Sequence, residues 1–280
     1  MTQFFLATSK ALFSPHVLTI YVSHHRYSRI LNHIAYKLTD LHNHKMPSVS
    51  TSVLKHVVRQ IKSYGDAHTS LDVSELFGFD QIDFLQDDTI DNELNAMVDA
   101  LTDNPNLAIE EFVLRYPMYK VGEQGVIALA VLFLQNTTIK SIVLDNVRFV
   151  GPYGLQALLG ALKYNRTVTY LKLASDDEPF DPFGGPDSDK TILSQNCIVE
   201  LANVLRENPV LERVYLCPNG LTDQDVINHL APALAINESI IKLDVSSNSG
   251  ITEVGLSALR EAMGDRGVVI GDDNWDDASE

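Results

Sequence analysis

The feature that most constrains this chain is a repeated spacing of apolar residues. Groups of three apolar anchors with the spacing L-x-x-L-x-L recur along the sequence, and their last members are Phe84, Leu114, Leu144, Leu173, Leu216 and Val245. Successive end points lie 30, 30, 29, 43 and 29 residues apart, so the fourth unit contains an insertion. A short apolar run followed by an amphipathic segment, repeated every 29–30 residues, predicts a solenoid of stacked strand–helix units.

Two further series support this register. Glycines open three of the predicted helical segments, at Gly125, Gly154 and Gly255. Asparagines end the helical segments, and because asparagine tolerates left-handed backbone geometry we expect them as helix C-caps. They are Asn104, Asn136, Asn165, Asn208 and Asn237. Three of these asparagines begin an N-x-S/T glycosylation signal, but their place in the repeat favours a structural role.

The units resemble leucine-rich repeats of the ribonuclease-inhibitor-like class, a repeat class shared by tropomodulin-like animal proteins. The consensus asparagine of L-x-x-L-x-L-x-x-N is present at Asn219 and Asn248, and is replaced in other units by Pro117, Val147 and Asp176. The resemblance covers about residues 70–265. It implies an α/β fold, a right-handed leucine-rich repeat solenoid with a curved parallel sheet on the concave face and helices on the convex face. Because this family binds many unrelated proteins, the resemblance implies a fold rather than a partner.

Charge divides the chain. Residues 1–70 carry a net charge of +6, whereas residues 71–280 carry −22. We therefore predict a basic, α-rich N-terminal cap over 1–70, a repeat array of about six units over 71–265 with an acidic insertion at 175–190, and a C-terminal cap with an acidic tail over 266–280. A last short strand is expected at 268–270.

The same composition restricts partners and compartment. An acidic body repels phosphate backbones and anionic lipid, so nucleic acid and membranes are poor partners. No stretch approaches the ~20 apolar residues of a membrane span. The chain has two cysteines, Cys197 and Cys217, in no metal-binding spacing, which favours a reducing, cytoplasmic location.

The candidate binding residues lie on the predicted sheet. In L-x-x-L-x-L the intervening side chains point away from the core, towards solvent on the uncovered side of the sheet. In the last three units these outward residues are Tyr170, Lys172, Arg213, Tyr215, Lys242 and Asp244. Tyrosine and arginine are typical anchors of protein interfaces, so we predict a partner-binding surface here.

The insertion is the second candidate. Its sequence SDDEPFDPFGGPDSDK combines clustered carboxylates such as Asp181 with two aromatic residues, Phe180 and Phe183. An acidic loop with aromatic side chains suits a protein partner of basic or mixed charge. Calcium binding is a weaker alternative, because the carboxylates lack the EF-hand spacing. A solvated loop without a partner is the simplest interpretation.

These features predict a non-catalytic protein–protein interaction module. No nucleotide-binding loop, G-x-S-x-G or H-E-x-x-H motif is present, so we expect neither an enzyme nor a cofactor. The alternative is a metal-dependent enzyme or regulator that uses the histidine-rich N-terminal region. Its histidines are His16, His24, His25, His33, His42, His44, His56 and His68. The few repeats, the non-repeat cap and the acidic tail also resemble Legionella-like leucine-rich repeat effectors, which implies delivery into a host cytosol.

Overall fold

A computed structural model describes residues 70–73, 90–103, 109–115, 120–147, 149, 154–174 and 193–269. The chain divides into two units, residues 1–48 and 49–280, and all described residues belong to the second unit. The predictions for the N-terminal cap and its histidines, for the acidic insertion and for the tail from residue 270 onwards therefore lie outside the described residues.

In the part of the chain that the structure describes, seven short strands form one parallel sheet. They are β1 (Ser70–Asp72), β2 (Glu111–Arg115), β3 (Ser141–Asp145), β4 (Tyr170–Ala174), β5 (Arg213–Tyr215), β6 (Lys242–Asp244) and β7 (Gly267–Val269). Their order in the sheet is their order in the chain, and each strand is parallel to its neighbours. Strictly sequential parallel strands joined through helices are the arrangement of a leucine-rich-repeat-like α/β fold, which confirms that part of the prediction.

Within the described ranges, a helical segment lies between each pair of consecutive strands, from β1 through to β7. The helices are α1 (Asp91–Asp103), α2 (Glu123–Gln135), α3 (Gly154–Tyr164), α4 (Gln195–Glu207), α5 (Asp223–Asp225), α6 (Ala231–Leu234) and α7 (Glu253–Met263). A π-helical turn, Val226–Leu230, joins α5 to α6. It stands just before Pro232, which has no amide hydrogen for a regular helical bond.

The core lies between the sheet and the helices, as the repeat predicts. The anchor side chains Ile142, Leu171 and Leu243 are fully buried on one side of the sheet. They belong to one hydrophobic cluster with helix residues such as Leu129 and Leu158. Each unit alone would leave this apolar surface in water, so burial between neighbouring units supplies the main favourable free energy of folding.

The asparagines at the helix ends join one unit to the next. The side-chain oxygen of Asn208 accepts hydrogen bonds from the amides of Val210 and Leu211, both at 2.9 Å. Its Nδ2 donates to the carbonyl of Leu162 in the preceding unit at 2.7 Å. Asn165 and Asn237 bond in the same way, donating to the carbonyls of Phe133 and Asn208. We call these residues, with Asn136, the helix-end asparagines.

The expected reason for these asparagines was wrong. Asn136 and Asn208, the C-caps of α2 and α4, have φ of −72° and −82° with extended ψ, and neither adopts left-handed geometry. Asparagine is required because one amide side chain can both accept from its own loop and donate across units. The hydroxyl two residues later takes part too, since Thr138 donates to the carbonyl of Ile109 at 2.7 Å. The N-x-S/T signals therefore have the structural role that the repeat predicted.

Arg266 ends this series. It lies 29 residues after Asn237, where the next helix-end asparagine would fall, and its Nη1 donates to the carbonyl of Asn237. Its Nη2 donates to the carbonyls of Leu234 and Ala262, at 2.9 and 2.8 Å. One guanidinium, which has five donors in a fixed plane, thus satisfies carbonyl groups at the ends of two successive helical segments.

Two glycines at the helix starts are explained by aspartates of the preceding unit. Asp223 accepts hydrogen bonds from the amides of Thr252 and Gly255, at 2.8 and 2.9 Å. A Cβ at Gly255 would lie 2.5 Å from the Asp223 carboxylate. Asp91 stands in the same relation to α2, where a Cβ at Gly125 would lie 2.6 Å from it. Only glycine leaves space for this close approach.

One strand assignment was wrong. The predicted first unit placed its strand at 79–84, outside the described residues. However, the neighbour of β2 on that side of the sheet is β1, in which Ser70 pairs with Glu111. Leu71 and Val73 supply its buried side chains. Paired residues are therefore 41 positions apart between β1 and β2 (Ser70 and Glu111) and 43 apart between β4 and β5 (Tyr170 and Arg213), and both intervals exceed the regular period. The predicted last strand at 268–270 is present as β7, one residue earlier.

Candidate protein-interaction surface

The side of the sheet that faces away from the core and the helices is the candidate surface, and we call it the front face. Strand register places its side chains in rows that cross the sheet. The first row contains Glu111, Ser141, Tyr170, Arg213 and Lys242; the second contains Val113, Val143, Lys172, Tyr215 and Asp244; the third contains Arg115, Asp145, Ala174, Cys217 and Ser246. All six outward residues predicted on β4–β6 are thus brought together on the front face.

Four of these residues form one cluster across β4, β5 and β6. The rings of Tyr170 and Tyr215 lie 5.0 Å apart between centroids, with planes inclined by 31°. Lys242 Nζ lies 5.4 Å from the centroid of the Tyr215 ring, in the range of a cation–π contact. Arg213 stands between Tyr170 and Lys242 in the first row. We call Tyr170, Arg213, Tyr215 and Lys242 the cation–aromatic patch.

The patch is half-buried, and its hydrogen-bonding groups are largely unused. All four side chains are of intermediate exposure. Within the described part of the chain, neither tyrosine hydroxyl nor the Arg213 guanidinium forms a hydrogen bond or ion pair, whereas most polar groups at the helix ends do. Rigid strands therefore present two rings and two cations whose donors remain available to a ligand.

Tyr170 has the most perturbed environment in the patch. Burial raises its pKa far above the ordinary tyrosine value, and the nearby Tyr215 and Glu111 add to the effect. The hydroxyl therefore stays protonated throughout the physiological range and remains a hydrogen-bond donor. A neutral donor over an apolar ring suits recognition of a carbonyl or carboxylate oxygen.

Lys172 does not fit the prediction of an exposed contact residue. It is 8% exposed, and its Nζ pairs with the carboxylate of Asp145 on β3 at 2.9 Å. Both members of the pair lie on the front face, so their charges are used within the chain rather than presented to a partner. Removing either one would leave the other buried without its counter-charge.

The thiol of Cys217 adjoins the patch in the third row. Burial raises its pKa to about 11, and the nearby Asp244 carboxylate acts in the same direction. Asp244 itself accepts from the amide and hydroxyl of Ser246, at 2.9 and 2.7 Å. At neutral pH this thiol is almost entirely protonated, so it is a poor nucleophile.

The expectation of a fully uncovered front face was also wrong. Val113, Val143, Asp145 and Cys217 are buried, and the predicted contact residue Asp244 is half-buried. Exposure is therefore concentrated in the first row, at Tyr215 and at Arg115. The third row was missed altogether, because the pattern was followed only to its last apolar anchor. The alternation of strand side chains already signals that the next residue points to the front.

Other predicted sites lie outside the described residues. Phe180, Asp181 and Phe183 belong to the insertion, as does the alternative calcium site. Within the described ranges no group of three or more His, Cys, Asp or Glu side chains is arranged to hold a metal ion. In the same ranges no helix is both long enough and apolar enough to cross a membrane.

Strand order, helix placement and the asparagine contacts define a leucine-rich-repeat-like α/β protein. No protein-family model matches the chain, and no curated protein matches it. Among solved structures, it is similar to one described as Leiomodin-1 Actin-Binding Site 2 (ABS2), with 21% sequence identity and a TM-score of 0.42. That match covers 67% of this chain and 91% of the other. The description of the fold rests on the strand order and contacts of this chain itself.

Proposed function

We propose that this chain is a non-catalytic recognition module that binds a partner protein through the front face of β4–β6. The observation that carries the proposal is the cation–aromatic patch, in which Tyr170 and Tyr215 lie in ring contact beside Arg213 and Lys242. The acidic insertion at 175–190 follows β4 directly and is proposed to contact the same partner.

Two physical properties suit the patch to binding. Tyrosine and arginine offer large contact areas with hydrogen-bonding ends, and they dominate measured binding energies at protein interfaces. In addition, the four side chains stand on paired strands, and Tyr215 contacts both Tyr170 and Lys242, so these side chains lose little conformational freedom when a partner binds. These properties distinguish β4–β6 from β2 and β3, whose second-row residues are the buried valines Val113 and Val143.

The charges favour a partner of mixed character. Arg213 and Lys242 are cations within an acidic chain, whereas Asp244 and the insertion are acidic. A partner with an acidic or carbonyl-rich segment over the patch and a basic segment towards the insertion would match both. The chain net charge of −16 makes nucleic acid a poor alternative.

A non-catalytic role is supported by the state of the reactive groups on the front face. Cys217 is held as a thiol by its raised pKa, and Lys172 is paired with Asp145. The alternative function is a metal-dependent enzyme or regulator that uses the N-terminal histidines. Metal analysis of the dialysed, purified protein tests it, because stoichiometric zinc or calcium would favour that alternative.

Two finer features complete the proposal. We propose that the array is a right-handed solenoid with the front face on its concave side, since crossovers between parallel strands are almost always right-handed. Small-angle scattering tests the curvature. Delivery into a host cell stays a prediction, for which a translocation assay with and without residues 271–280 is the test.

The experiment that tests the binding site uses the full chain. Partners are first identified by quantitative affinity capture, and the affinity of a purified partner is then measured by calorimetry. The variant Arg213→Ala/Tyr215→Ala should weaken binding by at least ~30-fold, because truncating a central anchor costs about 2 kcal/mol or more. The matched control Lys140→Ala/Arg260→Ala removes exposed cations that lie off the front face and should leave affinity unchanged. Equal affinity of both variants would contradict the assignment.

A further inference from the structure

We propose that the acidic segment of residues 270–280 binds back onto the cation–aromatic patch and competes there with the partner. The regulatory meaning of this contact rests on the proposed function, whereas the contact itself rests on the patch and on the chemistry of the segment. Its sequence is IGDDNWDDASE, with five carboxylates and Trp275 at its centre.

The two surfaces are complementary in charge. The segment carries Asp272, Asp273, Asp276, Asp277 and Glu280. These carboxylates are repelled by the acidic body of the chain, but Arg213 and Lys242 attract them. The Arg213 guanidinium forms no hydrogen bond or ion pair within the described residues, so its donors are free for a carboxylate. Few other places in the described sheet offer two neighbouring cations.

The two surfaces are also complementary in shape and polarity. Trp275 is flanked on both sides by paired acidic residues. An indole ring placed between such pairs can stack against Tyr170 and Tyr215 while the carboxylates reach the cations beside them. Aromatic pairs of this kind contribute about 0.5–1.5 kcal/mol beyond burial of area, and indole is the best ring for cation–π contacts.

The topology puts the patch within reach of the segment. It follows β7, which ends at Val269 and pairs with β6. Adjacent strands are ~4.8 Å apart, so β4 lies only about 14 Å from β7 across the sheet. Eleven extended residues span up to about 36 Å, which is enough to turn over the edge and cross the front face of β6, β5 and β4.

Attachment makes weak binding sufficient. Covalent attachment directly after β7 holds the segment at an effective concentration in the millimolar range. An isolated segment with a Kd of about 1 mM would then occupy the patch roughly half of the time. A partner must displace it, so the segment would select for ligands that bind the patch more tightly.

The chain offers a direct probe, because Trp275 is its single tryptophan. Acrylamide quenching of the fluorescence of the full chain is compared with that of a synthetic peptide of residues 270–280. The expected result is a lower quenching constant for the full chain, by roughly twofold, because a half-docked indole is shielded half of the time. Salt at 1 M should raise the constant to the peptide value, since the Debye length falls to about 3 Å.

Variants locate the contact. Arg213→Ala/Lys242→Ala should raise the quenching constant to the peptide value, and so should Asp276→Asn/Asp277→Asn in the segment. Lys140→Ala/Arg260→Ala, which removes two exposed cations off the front face, should leave it unchanged. Each variant is checked by circular dichroism for a folded array.

Three outcomes would overturn the proposal. Equal quenching in the full chain and the peptide would show no docking, and protection that is insensitive to the patch variant would place the segment elsewhere. Protection that disappears on dilution would assign the contact to a second copy of the chain. The partner affinities of the same patch variants are measured separately, so failure of self-docking is distinguishable from failure of the proposed function.

Discussion

The helix-end asparagines and the cation–aromatic patch differ in how completely the chain satisfies its own polar groups. Asn208 is 1% exposed and uses both ends of its amide within the array. Arg213, by contrast, is half-buried and forms no hydrogen bond within the described residues. The first arrangement fixes one unit against the next, whereas the second leaves binding capacity available. Polar residues of one repeat array therefore divide into those that stabilise it and those that can recognise a ligand.

The largest effect is expected for Asn208→Ala. The substitution leaves the amides of Val210 and Leu211 without their partner and removes the shorter of two hydrogen bonds to the carbonyl of Leu162. Each unsatisfied buried group costs about 1–3 kcal/mol, so the free energy of unfolding should fall by roughly 3 kcal/mol or more. Urea denaturation measures it. Asn136→Ala, at a half-exposed site where water can replace the amide, should lower the free energy of unfolding by clearly less. Equal losses of stability in the two variants would contradict the importance of burial at Asn208.

Arg266→Ala is expected to have the next largest effect. The variant removes the guanidinium that satisfies the carbonyls of Leu234, Asn237 and Ala262 at the last unit. We expect a loss of about 1–3 kcal/mol, because Leu234 and Asn237 are buried and their carbonyls would lose this donor. The matched control is Arg260→Ala, which removes only an exposed ion pair and should change stability by less than about 1 kcal/mol. Similar losses in both variants would contradict the capping role.

Patch variants should show the opposite profile. Arg213→Ala is expected to change the free energy of unfolding by no more than about 0.5 kcal/mol, as is usual for surface positions, while partner affinity falls. Thermal and urea denaturation of the variant test the first half. A loss of stability as large as that of Asn208→Ala would show that Arg213 is structural and would remove the distinction between the two groups.

The smallest effect concerns Cys217, beside the patch. With a pKa of about 11, roughly 0.1% of this thiol is ionised at pH 8, and the labelling rate should rise about tenfold per pH unit up to that pKa. Alkylation of the Cys197→Ala variant, which leaves one thiol, measures the profile. A rate that levels off near pH 9 would show that burial does not raise the pKa of the Cys217 thiol.

Much of the array was predictable from the apolar period. The anchors of β2–β6 and the outward residues between them follow from the alternation of strand side chains and from the 29–30-residue spacing. β1 was misplaced because Leu71 and Val73 are a weaker signal than the apolar residues at 79–84, and because its distance from β2 departs from the period.

Environment was harder to predict than position. Lys172 and Asp145 are 27 residues apart, and their pairing depends on the register between β3 and β4. An outward position therefore does not imply an exposed charge. The asparagines were placed correctly but explained incorrectly, because a contact to the preceding unit is invisible in the residues that flank each asparagine. Arg266 was missed for the same reason, because an arginine rather than an asparagine donates to the carbonyls of the preceding unit at this position.

The 29-residue spacing of Asn208, Asn237 and Arg266 has a consequence for protein engineering. Each junction uses side-chain donors on one unit and main-chain carbonyls on the unit before it, so it does not depend on the identity of the residues it joins. A duplicate of residues 208–236 inserted ahead of Asn237 would recreate the same junction on both sides, provided that Arg266 remains last. The array could thus be lengthened in cassettes, each adding one strand of custom recognition surface.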